Sequence, residues 1–297
     1  MSNEIPFRRV AIIGTGLIGG SFGLALRKQF PVISVVGFDH KEVAARALAR
    51  GAVQETAATI KDAVRGADLI YVALPIGATI EALPAISAAA SSQSLTTDAC
   101  STKTMVCRVA KMHFQSGARF LGGHPMAGKE KSGIENAHSE IFTGAPYALI
   151  GSEPGSETDA GPRNRSFAEL LRRIGARPVW CDAETHDWAV SIVSHMPQLV
   201  ALALARVVQD ETDETGLPLS LAGKGLQDML RLAGSPYEVW RDIFLTNREN
   251  ITHALERLAQ AIDHLRTNLS SKELEEEFRA ANSLFESLHK DQQKSQS

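Results

Sequence analysis

The chain has 297 residues, enough for one large or two medium domains at about 100–200 residues each. Hydrophobic residues make up 44%, which argues against overall disorder. Thirty-one basic against 34 acidic residues (net charge −3) argue against general electrostatic attachment to nucleic acid or an anionic membrane.

Residues 10–14 form a short apolar run ending in glycine, and residues 21–29 read as a helix. A β-branched run follows at 33–38, then a helix over 41–50 stopped by Gly51. Residues 67–74, closed by Pro75, give a third strand; 79–90 a helix; and 94–98 and 119–122 further short strands. This alternation predicts a doubly wound, mostly parallel sheet whose strands are apolar throughout because helices cover both faces. Residues 147–150 read as another strand, 153–163 as an exposed loop rich in Gly, Pro, Ser and Thr, 166–174 as a helix and 177–180 as the last strand. Beyond Asp182 the period is helical. Ala189, Ile192, Met196, Leu199, Ala203 and Val207 recur at spacings of three and four, as do Leu274, Phe278, Ala281, Phe285 and Leu288. The expected organisation is an α/β domain over 1–182 and an all-α domain over 183–297, with a polar, frayed tail after Lys290.

The three cysteines, Cys100, Cys107 and Cys181, include no CxxC pair. No disulfide framework and no metal site is expected, and a reducing compartment fits. The polar N-terminus lacks the apolar core of a signal peptide, and no uncharged run of about 18 residues suggests a membrane span, so a cytoplasmic location is expected.

Gly14-Thr15-Gly16-Leu17-Ile18-Gly19 matches GxGxxG, follows a strand and opens a helix, the context of a Rossmann dinucleotide site. Gly14 permits the turn, Gly16 lets the backbone approach a pyrophosphate, Gly19 lets helix and strand pack, and the helix N-terminus offers free N–H groups. Asp39 ends the second strand, where its carboxylate would accept from a ribose 2′-hydroxyl and repel a 2′-phosphate; this favours NAD over NADP, although His40 and Lys41 follow. The alternative for Asp39 is a helix cap. Leu74-Pro75-Ile76 sits at a strand's carboxyl end and reads either as packing on the cofactor or as a plain strand end.

Two further segments follow strands on the same side: Asp98-Ala99-Cys100-Ser101-Thr102-Lys103, and Gly122-Gly123-His124-Pro125-Met126-Ala127-Gly128. An alcohol-oxidising site needs a base for the hydroxyl proton, and a histidine fixed between a glycine pair and a proline suits the task. Ser101 reads as a partner of the reacting hydroxyl or of His124, as a helix N-cap, or as both. Lys103 reads either as an attractor for an anionic substrate or as a solvated surface lysine.

At these motifs the chain resembles the prephenate/arogenate dehydrogenases. The resemblance runs through GTGLIGGS from Gly14, DACSTK from Asp98, GGHPMAGKEKSG from Gly122, HDWAVSIVSHMPQ from His186 and GLQDMLRLAGSPYEVWRDIFLTNRENI from Gly225. It implies NAD-dependent oxidative decarboxylation of a cyclohexadienol in tyrosine biosynthesis. His124 would be the base and Ser101 the support for the hydroxyl. Arg231, three residues after Asp228, would bind a substrate carboxylate, a sensible anchor for a dianion. Trp240 matches a tryptophan near the site and Glu130 a glutamate at its mouth. The chain departs from the family at His195-Met196-Pro197-Gln198, where many members have a second histidine at the position of Gln198. Glutamine hydrogen-bonds but does not titrate near neutrality. Gln198, with Lys129 beside the site, therefore bears on the choice between prephenate, the favoured substrate, and arogenate.

The resemblance also implies a homodimer built from the helical domain. It implies that any feedback by tyrosine acts at or near the active site, since 297 residues leave no room for the regulatory domain some members carry. Two other readings compete: a β-hydroxy-acid dehydrogenase, which the HPMAG segment disfavours because those enzymes usually rely on a lysine base, and a non-catalytic NAD-binding sensor.

Overall fold

The computed structural model describes residues 5–114, 119–128, 131–151 and 161–294. Its N-terminal portion is built on one eight-stranded sheet. The strands are β1 (Arg9–Ile13), β2 (Ser34–Phe38), β3 (Glu55–Thr56), β4 (Leu69–Val72), β5 (Leu95–Asp98), β6 (Arg119–Pro125), β7 (Pro146–Ile150) and β8 (Arg177–Cys181), in the order β3-β2-β1-β4-β5-β6-β7-β8. All neighbours are parallel except β6 and β7. The order reverses between β1 and β4, which opens a crevice at the carboxyl ends of those strands.

Helices α1 (Leu17–Gln29), α2 (Lys41–Ala49), α3 (Ile60–Val64), α4 (Ile76–Ala89), α5 (Thr104–His113) and α6 (Pro162–Arg173) flank the sheet. The unbroken apolar strands follow from this double cover. Val10 and Ile12 pack with Phe22 and Leu26 of α1, while Ala11 and Ile13 turn to the opposite face with Val64 of α3 and Ile86 of α4. Successive residues of a strand face opposite sides.

The expected Rossmann sheet is present, with local differences. β3 escapes the sequence pattern because it is two exposed polar residues at a sheet edge, and α3 because it is one short turn capped by Thr59. The segment 153–163 was expected to be a loop, but Pro162 and Arg163 already belong to α6, Pro162 being at its first turn where its missing N–H costs nothing; residues 152–160 lie outside the described residues. β6 runs through the glycine pair to Pro125 rather than stopping at Gly122, so His124 is a strand residue, paired with Ala148.

From Ala183 the chain is helical: α7 (Ala183–Val190), α8 (Met196–Asp210), α9 (Leu217–Ser220), α10 (Lys224–Leu230), α11 (Tyr237–Thr246), α12 (Arg248–Thr267) and α13 (Glu273–Lys294). A π-helical turn, Ser191–His195, joins α7 to α8; there Met196 N–H bonds to Ser191 O, and Pro197 next to it has no N–H to give. One expectation is corrected here. The stretch Ala183–Asp210 is long and apolar enough, by length and composition, to cross a membrane. Its Ser, His, Pro and Gln residues break the apolar run to the eye, yet Trp188 to Ala205 holds no Asp, Glu, Lys or Arg. The buried face of this helix carries His186, Asp187, Ser191, His195 and Gln198, and of these His186 and Asp187 bond to the N-terminal portion of the chain.

A third core cluster joins the two portions. Ile76, Leu83, Cys100 and Val106 meet Ile243 and Ile251, with Leu199, Trp240 and Phe244 packed around them. By contrast, α13 is exposed along its described side chains beyond the half-buried Leu274, with Phe278, Leu284, Phe285 and Leu288 among the exposed ones.

Candidate active site

A cavity of about 630 Å³ lies between the carboxyl ends of the strands and the helical portion. Gly16, Leu17 and Ile18 line it at the start of α1, and Leu74, Pro75 and Ile76 at the start of α4. Ser101 and His124 come from the ends of β5 and β6; Gln198, Arg231 and Trp240 come from the helical portion.

The glycine loop has the shape a dinucleotide requires. Gly14 has φ of +93° and leaves no room for a Cβ, which would stand 2.5 Å from Ala73 O. A Cβ on Gly19 would stand 1.8 Å from Gly14 O, so only glycine lets α1 start against the turn. Gly16 faces open space. No side chain caps the N-terminus of α1 and its first turn has no acidic residue, so its N–H groups are available to an anion. Thr15 is buried and does not line the cavity. Its N–H donates to Asp39 Oδ2 at 2.7 Å, while Asp39 Oδ1 accepts from His40 N–H at 2.7 Å. Asp39 therefore latches the glycine loop to the end of β2, and α2 has no side-chain cap. These residues fit an NAD pyrophosphate at α1 and leave lone pairs of Asp39 for a ribose.

His124 is 7% exposed. Its Nδ1 lies 2.9 Å from His186 Nε2, and His186 Nδ1 lies 2.8 Å from Asp187 Oδ1. Asp187 also accepts from Lys103 N–H at 2.7 Å and Thr104 N–H at 2.9 Å, and so caps α5, which has no cap of its own. These bonds, led by that from His186, outweigh burial and hold the carboxyl below its usual range. An ionised Asp187 can only accept, so His186 carries a proton on Nδ1, and in its neutral form it offers Nε2 as an acceptor. His124 then carries its proton on Nδ1 and leaves Nε2 unprotonated. Burial, followed by His186, Lys103 and His195, holds the His124 pKa well below the usual histidine value, so the ring is neutral at physiological pH. A neutral imidazole with a free nitrogen is a base.

Lys103 contradicts both sequence readings of it: it is neither solvated nor aimed at a substrate, but wholly buried. Its ammonium bonds Asp98 and donates to Gly123 O at 2.6 Å; Asp98 Oδ1 in turn accepts from Gly123 N–H at 3.1 Å. The pair thus clamps the residue before His124. Ser101 is half-buried on the cavity wall and does not cap α5, which removes the helix-cap alternative.

The remaining expected residues divide. Gln198 is 2% exposed, and its Oε1 has no hydrogen-bond partner; the same holds for Trp240 Nε1. Both residues line the cavity. Arg231 reaches the wall from the end of α10. His195, by contrast, stands behind the wall, 1% exposed, its Nδ1 3.3 Å from Asn247 Nδ2 and its ring edge-on to Trp240 at 6.0 Å; burial lowers its pKa to about 4. Asp228 is exposed on α10, pairs with Lys224 at 2.8 Å and does not line the cavity. Lys129 and Glu130 lie outside the described residues. The sequence reading missed His186, Asp187 and Asp242. Asp242 Oδ2 accepts from Gly77 N–H at 3.0 Å, so a carboxylate of α11 caps α4. No sequence signal set them apart: α7 and α11 also carry the charged residues Glu184, Glu238 and Arg241.

The family model described as prephenate dehydrogenase, nucleotide-binding domain, matches residues 22–179, and that described as prephenate dehydrogenase, dimerization domain, matches 182–287. The chain is 33% identical to the prephenate dehydrogenase of Bacillus subtilis over 272 residues, 91% of this chain and 72% of the relative. Among solved structures, prephenate dehydrogenase from A. aeolicus in complex with hydroxyphenyl propionate and NAD+ superposes with a TM-score of 0.82 at 27% identity, covering 96% of this chain and 98% of the other. Synechocystis arogenate dehydrogenase superposes with a TM-score of 0.74 at 26% identity, covering 96% and 99%.

Proposed function

The chain belongs to the prephenate dehydrogenase family of oxidoreductases, and we propose that it carries out the NAD-dependent oxidative decarboxylation of prephenate to 4-hydroxyphenylpyruvate in tyrosine biosynthesis. The observation that carries the reading is the orientation of His124: Nδ1 is engaged by His186, and Nε2 remains as a base on the cavity shared by the glycine loop and Arg231. His124 takes the proton of the ring hydroxyl, and Ser101 supports that oxygen from the cavity wall. Arg231 anchors a substrate carboxylate with a planar, permanently charged fork. The α1 N-terminus and Gly16 would hold the pyrophosphate of NAD, Asp39 its ribose, and Leu74, Pro75 and Ile76 its apolar face. NAD supplies the hydride acceptor; the chain supplies position, charge and a proton site.

Arogenate is the second reading, and Gln198 favours it: an unpartnered amide oxygen in the cavity wall would accept from an ammonium group, where prephenate offers a keto oxygen. NADH formation with each substrate, offered with NAD and with NADP, decides between them. Turnover of prephenate with NAD alone is expected. Turnover of arogenate alone reassigns the substrate, and turnover of neither refutes the enzyme reading. His124→Ala is expected to abolish turnover while NAD still binds, whereas a non-catalytic sensor would show binding without turnover in the unaltered protein.

We place the division of labour at residue 182, with NAD held by 1–182 and substrate and dimer contacts made by 183–297, in the cytoplasm. The dimer reading is supported by the match to a dimerization domain and by the apolar helix Ala183–Asp210, of which only 28% is buried within one chain. Light scattering is expected to give twice the mass of one chain.

A further inference from the structure

We propose that His186 and Asp187 form a sealed proton relay behind His124, which borrows the hydroxyl proton of the substrate during oxidation and returns it to the same oxygen after carbon dioxide leaves. The proposal rests on the dehydrogenase reading of the cavity and holds for prephenate and arogenate alike, whose ring chemistry is the same.

The proton bookkeeping of the reaction asks for such a device. The ring carbon gives a hydride, two electrons and a proton, to NAD, while the hydroxyl proton passes to His124 Nε2 and the carbon–oxygen bond becomes a carbonyl. The bond from the opposite ring carbon to its carboxylate then breaks, its electron pair enters the ring as carbon dioxide departs, and a phenolate oxygen is left. That oxygen takes a proton to become the phenol. No proton is released overall, so the base needs a reservoir rather than an exit.

The geometry provides one. His124, His186 and Asp187 are 7%, 3% and 2% exposed, so the line ends in the interior and not in solvent. His124 Nδ1 to His186 Nε2 is 2.9 Å, and His186 Nδ1 to Asp187 Oδ1 is 2.8 Å, both hydrogen-bond lengths. When Nε2 of His124 gains a proton, its Nδ1 proton can pass to His186, which becomes the imidazolium. The reverse shift gives the proton back.

Electrostatics decide where the charge rests. The cationic groups facing His124 are Lys103 and, when protonated, His186 and His195; Lys103 is matched by Asp98. An imidazolium on His124 is opposed by burial and by those neighbours. One ring further on, the same charge lies against the Asp187 carboxylate. That carboxylate is held ionised by His186 Nδ1–H and by the free N–H groups at the start of α5, and its backbone carbonyl is fixed by Asn247 Nδ2 at 2.7 Å. His124 touches the substrate; His186 and Asp187 are positioning residues that also hold the displaced proton.

The test is His186→Gln and Asp187→Asn in the full-length enzyme, with whichever substrate it turns over. Glutamine keeps a donor and an acceptor but cannot carry the proton, and it leaves the Asp187 cap on α5 in place should Asp187→Asn fail to fold. Asparagine keeps the shape but removes the negative charge against which the displaced proton rests; the corresponding change lowers kcat by about 10⁴ in a serine-protease triad. The expected result is a kcat loss of roughly 10³, with NAD affinity by fluorescence titration and substrate KM within threefold of the unaltered enzyme. The acid limb of the kcat/KM profile should also move to higher pH in His186→Gln, because the neighbouring ring whose charge helps to hold the His124 pKa down is gone. A kcat within tenfold of the unaltered enzyme in both variants, or an acid limb that stays in place in His186→Gln, overturns the relay. Turnover by the unaltered enzyme in the same assay separates this from failure of the functional reading, since without it both fall.

Discussion

Replacing Lys103 with methionine tests the claim that a buried ion pair sets the position of His124, the proposed base. Methionine matches the length of the lysine stem but leaves Asp98, wholly buried, without a cation, its backbone partners being the N–H groups of Cys100 and Gly123. Gly123 O loses its donor as well. Removing one partner of a buried pair typically costs about 3–5 kcal/mol, because the other charge stays behind unpaired. That is a large share of a total stability of roughly 5–15 kcal/mol. At roughly 2–4 °C per kcal/mol for a chain of a few hundred residues, the thermal midpoint should fall by about 10 °C. The double variant Asp98→Asn/Lys103→Met removes both charges, and its loss should be smaller than the sum of the two single losses by at least about 1.5 kcal/mol. Urea denaturation of the four proteins measures this coupling. Strict additivity, or a Lys103→Met loss below about 1 kcal/mol, would refute the assignment of the clamp.

Gly19→Ala forces a Cβ to within 1.8 Å of Gly14 O, backbone against backbone, so α1 must move off the turn. Overpacking of this kind costs about 1–3 kcal/mol. Its functional mark is an NAD dissociation constant raised tenfold or more by fluorescence titration, and an unchanged constant would count against the pyrophosphate site. Asp242→Ala removes the cap that α11 lends to α4 and should cost about 0.5–2 kcal/mol by chemical denaturation. Because α4 begins at the cofactor wall, it should also raise the KM for NAD more than that for substrate. Stability should decline in acid. His124 and His195 both titrate lower in the folded chain than the ordinary value of 6.5, His195 at about 4, so the unfolded chain binds protons first as pH falls. Their contribution is complete above about pH 6.5 and is lost progressively below it, toward pH 4 for His195. Denaturation at pH 7.5, 6 and 5 checks the sign, and a flat profile would contradict it.

The doubly wound sheet was legible because both of its causes are local. Fully covered strands leave unbroken apolar runs such as residues 10–13, and the GxGxxG turn needs glycines whose spacing is set by backbone contacts within one loop. The place of His124 on the cavity was legible for the same reason, since it stands between a glycine pair and a proline in a single motif. What the sequence could not reveal were contacts that only the tertiary fold creates. Lys103 looks like any polar residue at the start of a helix until β6 brings Gly123 O against its ammonium. Asp228 and Arg231 sit three apart on paper, yet the Asp228 side chain turns to Lys224 on the outside while Arg231 reaches the cavity. His195 shares a motif with Gln198 but stands behind the wall that Gln198 lines.

The two aspartates that the sequence concealed obey one rule. Neither α4 nor α5 has a side-chain cap of its own, and each begins at a segment that touches the cavity: Leu74 to Ile76 before α4, and Ser101 before α5. Asp242 and Asp187, both from the helical portion, supply the missing acceptors across the boundary. An uncapped helix start would otherwise leave orphan N–H groups beside the site. Docking of the two portions therefore completes the cofactor wall, the wall that carries Ser101 and the proton line to His124 in one step. It follows that the boundary near residue 182 does not separate binding from chemistry. The base is rooted in a strand of the sheet, and what orients it is rooted in α7. A substitution that loosens this interface should lower kcat even where no residue touching the substrate has changed.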